Sequence, residues 1–337
     1  MSQPAAQELP SVSPSRARAL RECFLRVAFA QSSPAPRQQG DAQLIGEAAH
    51  AVLARPIAPG PPFSERMAHL PADFEGALER LANGRKVRGA RPAAARLRNL
   101  ATHATTLVDE AGEPLELRCE QRLSGRAGTL NGIIDLSVMG TAVHAVVDYK
   151  TGRVLDEDGL LAAHLREQLA LYCVLERERT GGWPGRAIIL RFGGAPIEWV
   201  VDEQRCEQTA SEVEALREQY LQHVGSTPPA SPSPEHCRQC SFAARCESFW
   251  DAIDERWSDS LLAVRGRVDW AQRTTTGTVT VRLVEVEGTS SGDAVIQGLT
   301  SQAPGLDLVP GSPLALAGLW SDRDRLLNAG EWTRSWS

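Results

Sequence analysis

Lysine is nearly missing from this chain: of 36 basic residues, 34 are Arg and only Lys86 and Lys150 are Lys. Other shortages exclude whole classes. No apolar run approaches the ~20 residues of a membrane helix. The opening MSQPAAQELPSVSPSRARAL has neither the basic start nor the apolar stretch of a secretory signal. The expectation is a cytoplasmic protein with no membrane partner. No internal repeat is visible, which argues against a repeat array. The seven cysteines are an odd number with three tightly clustered, a pattern that favours metal binding over disulfides where no secretory signal is present. The net charge is −6, so nucleic-acid contact must come from a local patch.

What is present is a globular composition, 42% hydrophobic and 23% charged over 337 residues, enough for one large domain or two ordinary ones. Ser-, Pro-, Gln- and Ala-rich segments at 1–15 and 31–41 read as loops around a helix at about 16–30. A second helix is expected at 42–54, a Pro/Gly break at 56–62 and a mostly helical region to about 108. Strands follow at about 115–123, 129–138 and 143–150, a helix at 160–179, strands at 186–192 and in IEWVVDE, and a helix at 207–223. After about 258 the texture changes to short strands with Thr and Gly turns. The expected division is therefore residues 1–257 and a small all-β domain, 258–337.

The rare lysine sits in VHAVVDYKTGRV, two residues after Asp148, inside an apolar strand. In a chain that uses Arg almost everywhere, Lys150 marks a position where a compact point charge is needed and a planar fork does not serve. With the preceding hairpin reversed at Thr141-Ala142, paired positions sum to 283 and Asp135 falls opposite Asp148. Two carboxylates across a ladder repel, and a Mg²⁺ or Mn²⁺ ion between oxygen ligands removes the conflict. Lys150 projects from the same face. The chemistry this suits is metal-assisted phosphodiester hydrolysis. A surface salt bridge between Asp148 and Lys150 is the plain alternative. GEAAH puts Gly46 and His50 on one helix face, and HLREQLALYC does the same for Gln168 and Tyr172.

Taken in order, GxxxH, GIID, VVDYKTG and QLALY resemble the RecB-type nucleases of the PD-(D/E)XK superfamily. Among these the chain looks most like the iron–sulfur members, the AddB nuclease domain and the CRISPR-associated exonucleases that trim spacers. The resemblance covers about residues 10–250. It implies an α/β, restriction-endonuclease-like mixed sheet flanked by helices. It implies His50, Asp135, Asp148 and the Tyr149 carbonyl as metal ligands, Lys150 as catalytic lysine, and Gln168 and Tyr172 orienting it or the DNA backbone. The activity implied is a DNA exonuclease on single-stranded ends, in repair or phage defence, with a helicase or defence-complex partner. Two rivals remain, an RNA-directed nuclease and a catalytically idle DNA-binding scaffold subunit.

CRQCSFAARC gives Cys237, Cys240 and Cys246, one thiolate short of a tetrahedral set. The resemblance supplies the fourth as Cys23, and with it a 4Fe–4S cluster clasping the two ends of the nuclease domain. Zinc on the same thiolates fits the ligands equally well. Cys119, Cys173 and Cys206 read as small core residues. Between Glu79 and Asp109 no acid interrupts Arg85, Lys86, Arg88, Arg91, Arg96 and Arg98, a candidate phosphate-binding patch. The C-terminal part carries five of the eight Trp, Trp257, Trp270, Trp320, Trp332 and Trp336. It reads as an OB-like five-stranded barrel with aromatics for base stacking or for a core that docks a partner.

Overall fold

The computed structural model describes residues 3–32, 40–53, 63–275, 277–300, 308–321, 326–330 and 333–336. The expected break at 56–62, part of the loop at 31–41 and Trp332 lie outside these. In chain order the helices and strands are α1 (Pro14–Glu22), α2 (Phe24–Ser32), α3 (Asp41–Leu53), α4 (Phe63–Ala82), α5 (Ala90–Ala111), β1 (Glu116–Gly125), β2 (Leu130–Met139), β3 (His144–Lys150), α6 (Ala163–Thr180), β4 (Arg186–Arg191), β5 (Ile197–Trp199), α7 (Glu203–Leu221), α8 (Pro234–Arg238), α9 (Glu247–Ala252), β6 (Leu262–Arg273), β7 (Thr278–Gly288), β8 (Gly292–Thr300), β9 (Pro313–Ser321), β10 (Leu327–Asn328) and β11 (Arg334–Trp336). No described helix is long and apolar enough to cross a membrane.

The chain forms two compact units, one of residues 9–18 and 40–218, the other of 1–8, 19–39 and 219–337. The first is a mixed α/β unit. Its sheet runs β1-β2-β3-β4-β5, antiparallel except for the β3–β4 pair. Alternation sorts the strand residues between two faces. Leu136, Val138, Ala145, Val147 and Tyr149 join the core built by α3, α4 and α5. Ser137 and Asp148 belong to the opposite face, where they hydrogen-bond α6 through Glu176 and Gln168. Leu165, Leu169, Leu171, Tyr172 and Leu175 of α6 are all buried, so this helix is covered on several sides rather than amphipathic.

The β2–β3 pairs sum to 283, as in Leu136↔Val147 and Val138↔Ala145, and stop at Leu136. Beyond it the strands part. Val12 fills the edge of β2 that β3 leaves: its N–H donates to the Thr129 carbonyl and its carbonyl accepts from Asn131 N–H, at 2.8 and 2.9 Å. This short pairing lies inside a segment expected to be loop throughout. It recruits the chain start because a backbone edge at the sheet centre needs partners.

The second unit holds the other surprise at the N-terminus. One helix at 16–30 is expected, but two form, and the break is Cys23. Here Leu25 and Phe29 pack with Phe242, and Cys23, Cys240 and Cys246 lie against that cluster. The break thus brings Cys23 to the late cysteines. The β-rich part of this unit pairs β6 with β7, β7 with β8, β8 with β10 in parallel, β10 with β9, and β9 with β6. That circuit of five strands closes on itself around Val264, Val281, Leu283, Ile296 and Leu316. The ladder slips after Leu283, with Glu285 in a left-handed conformation, φ 54°. Trp270 and Trp320 are exposed, whereas Trp257 and Trp336 pack on a cluster with Phe249 and Trp250.

Candidate active site

The site forms where β2 and β3 separate. Tyr149 N–H donates to Asp135 Oδ2 at 2.6 Å, which ties the first acid to the strand of the second. Asp148 is almost fully buried. Its Oδ2 meets Lys150 Nζ at 2.6 Å and its Oδ1 accepts from Gln168 Nε2 at 2.9 Å. The same Gln168 nitrogen donates to Tyr172 OH, also at 2.9 Å. Burial lifts the Asp148 carboxyl above the ordinary range, against the pull of the Lys150 ammonium.

His50 arrives from α3. Its Nδ1 lies 3.4 Å from Asp135 Oδ1 and 3.5 Å from Glu120 Oε1. Burial would lower the imidazole, but the hydrogen bonds to Asp135 and Glu120 outweigh it and raise its pKa to about 10. A glycine explains how the helix comes so near the strand. A Cβ at Gly46 would stand 3.2 Å from Thr151 Oγ1, just past the DYK sequence. Gly132 does the same on the other face, where a Cβ would meet Leu175 Cδ1 at 2.9 Å and Tyr172 Cε1 at 3.1 Å.

Glu120 is the residue that sequence reasoning missed. The β1–β2 pairs sum to 255, as in Cys119↔Leu136 and Gln121↔Ile134, so Glu120 stands opposite Asp135. It does so with a left-handed φ of 46°. Register counting across that hairpin could have found it. Among the described residues, His50, Glu120 and Asp135 form the one set of three or more His, Cys, Asp or Glu side chains whose ligand atoms all lie within 4.8 Å of each other. Glu120 Oε1 is buried, and its contact with His50 Nδ1 at 3.5 Å is a long one. A divalent cation fits this donor set, two carboxylates and an imidazole with a further carboxylate at Asp148.

The structure therefore brings together His50, Asp135, Asp148, Lys150, Gln168 and Tyr172, all expected from the sequence. Arg85, Lys86, Arg88, Arg91, Arg96 and Arg98 are all exposed on the α4–α5 connection and α5. Arg85 spends part of its charge on Asp41, Nη1 to Oδ1 at 3.1 Å. In the other unit Cys23, Cys237, Cys240 and Cys246 line one small apolar cavity of about 30 Å³. Burial raises Cys237 to about 12 and Cys246 to about 11, and lifts Cys240 as well. Half-buried cysteines that converge on one cavity fit a thiolate-bound metal group. Cys173 and Cys206 are fully buried and Cys119 is partly so.

Comparison with known proteins agrees with the geometry. No protein of curated function matches the chain. Among solved structures, a candidate exonuclease from Eubacterium rectale is 13% identical, with 66% of this chain and 84% of that one covered at a TM-score of 0.41. The protein SSO0001 is 14% identical over 60% of this chain and 94% of its own, at a TM-score of 0.28. The profile of the PD-(D/E)XK nuclease superfamily matches residues 11–247, the span that holds every carboxylate just described and all four clustered cysteines. The chain belongs to the PD-(D/E)XK nuclease superfamily.

Proposed function

We propose that the protein is a Mg²⁺- or Mn²⁺-dependent deoxyribonuclease of the RecB-type, iron–sulfur branch, acting as an exonuclease on single-stranded DNA ends in repair or phage defence. The observation that carries the catalytic part is the convergence of His50, Glu120 and Asp135 beside the Asp148–Lys150 pair. His50, Asp135, Asp148 and the Tyr149 carbonyl, with Glu120 added, would hold the cation. When bound it would polarise the phosphodiester and lower the pKa of a water. Lys150 is placed to hold a proton or a developing charge on the nucleophile's side, and Gln168 and Tyr172 fix the orientation of Asp148.

The four cysteines that line one cavity suit either thiolate-bound group, and the resemblance to the iron–sulfur members favours the cluster over zinc. Residues 1–257 would form the nuclease domain with this clasp and 258–337 an OB-like barrel. The closed five-strand circuit with one parallel pair and the exposed Trp270 and Trp320 support the latter as a base-stacking surface. The exposed arginines of α5 would add phosphate contacts.

The test is digestion of end-labelled single-stranded DNA, duplex DNA and RNA by the isolated chain with Mn²⁺, Mg²⁺ or EDTA. Metal-dependent shortening of single-stranded DNA from an end is expected. Preference for RNA would move the substrate, and inertness towards every substrate would leave a scaffold.

A further inference from the structure

Beside the reaction centre lies a cavity of about 410 Å³, within the ~300–1,000 Å³ range of ligand sites. Its lining includes Ser13, Arg16, Arg122, Asn131, Gln168 and Tyr172. No Asp or Glu lines it, in a chain whose net charge is −6. Several arginines of this unit are neutralised: Arg126, Arg177, Arg179 and Arg186 each sit on a glutamate within 4 Å. Among the described residues, Arg16 and Arg122 have no such partner. Tyr172 OH accepts from Gln168 and keeps its own proton to donate; burial holds that phenol far above its usual pKa.

The wall is built in advance. Val12 is locked onto β2 by two backbone hydrogen bonds, and Asn131 Nδ2 donates to Ser11 Oγ at 2.5 Å. Ser13 and Arg16 therefore follow a fixed point of the sheet, and Arg122 projects from the neighbouring strand β1. Gln168 also lines the cavity, and its amide is bonded to Asp148.

We infer that this cavity is a phosphate subsite for a single nucleic-acid strand, seating the backbone next to the phosphate under attack, with Arg16 and Arg122 as its cations and the Tyr172 hydroxyl as a neutral donor. The inference rests on the nuclease reading and adds two arginines, Arg16 and Arg122, that the reading does not use. A strand is the fitting ligand because the cavity shares Gln168 with the candidate reaction centre, so one linkage can be held while its neighbour is cut. Two guanidinia without acids bind phosphate through charge and paired N–H donors.

The experiment measures anisotropy of a fluorescein-labelled single-stranded oligonucleotide on the full chain without divalent cation, across a KCl series. Each phosphate contact adds about 0.7 to the slope of log affinity against log salt for single strands. The Arg16→Gln/Arg122→Gln double variant should lose roughly 1.4 of slope and bind about tenfold more weakly at moderate salt. Replacing single linkages by neutral methylphosphonate should weaken the wild type at one or two positions and leave the double variant indifferent there. That reading holds even if the variant is somewhat less stable, because it compares two oligonucleotides on one protein. Equal slopes, or equal methylphosphonate effects in both proteins, overturn the subsite. If the wild type cuts single strands and the slopes are equal, only the subsite falls. If the wild type neither binds nor cuts them, the nuclease reading fails and the subsite with it.

Discussion

The carboxylate site and the cysteine site solve the same problem in opposite ways. Each gathers ligands from distant parts of the chain. In the first, the residues neutralise one another: the His50 imidazolium lies between Glu120 and Asp135, and the Lys150 ammonium lies on Asp148. Its geometry stands without an added ion. In the second, burial lifts the thiols of Cys237, Cys240 and Cys246, and the cysteines pack against two apolar clusters, one with Leu25, Phe29 and Phe242 and one with Phe249 and Trp250. A metal group there would add bonds that nothing else in the fold supplies, so its binding energy becomes folding energy. The contrast predicts that the first site is needed for rate and the second for stability.

The largest expected effect tests the first half. Asp148→Ala should lower turnover by at least about a thousandfold, while the melting temperature stays level or rises, since a buried acid with a raised pKa is removed. Turnover near that of the wild type would sink the assignment. Lys150→Arg should be nearly as damaging as Lys150→Ala, because the wide guanidinium cannot occupy the place of Nζ against Asp148. An Arg variant within a few fold of wild type would make the lysine incidental.

The next effect tests the second half. Protein prepared without oxygen should be brown, with about four irons per chain. Cys23→Ser should lose that colour as fully as Cys240→Ser, and both should become more sensitive to protease. Cys119→Ser should keep the colour, since Cys119 packs against the α3–α5 core and is not among the residues that line the thiol cavity. A colourless protein with one zinc would change the group and keep the ligands. Full iron in Cys23→Ser would remove Cys23 from the set.

What the sequence disclosed follows from how regular each neighbourhood is. The β2–β3 hairpin turns tightly at Thr141-Ala142, so counting residues gave the register that holds from Met139 to Leu136. Asp135 and Asp148 lie just past its end, where Asp135 accepts from Tyr149 N–H, and period-two alternation placed Lys150 beside Asp148. Helical spacing likewise paired Gln168 with Tyr172. Glu120 escaped because the β1–β2 connection passes through Arg126 and Ala127, both with positive φ and neither a glycine, and Glu120 itself departs from regular strand geometry. The break at Cys23 carries no Pro or Gly to announce it. The annexed Val12 answers a vacancy on β2 that only the assembled sheet reveals.

Glu176 supplies the smallest test, a buried acid with no need of any metal. It lies on the same face as the active-site carboxylates, fully buried, yet Ser137 Oγ donates to it at 2.6 Å, Arg179 at 2.6 and 3.0 Å, and His144 Nε2 lies 3.3 Å away. Burial would raise its pKa, but the hydrogen bonds from His144, Arg179 and Ser137 outweigh it and lower the value from 4.5 to about 2. A depressed acid stabilises the fold above its unfolded pKa, and that stability fades as pH falls from 4.5 through the folded value. Glu176→Gln should therefore cost roughly 2–3 kcal/mol at pH 7, read by urea unfolding. The gap to wild type should shrink by about half or more at pH 3, because the unfolded wild type then takes up a proton that the native state refuses. A gap that is unchanged at pH 3 would mean that Glu176 acts through packing and not through its charge, and the line drawn here between carboxylates that satisfy one another's surroundings and thiols that wait for a metal would lose its third point.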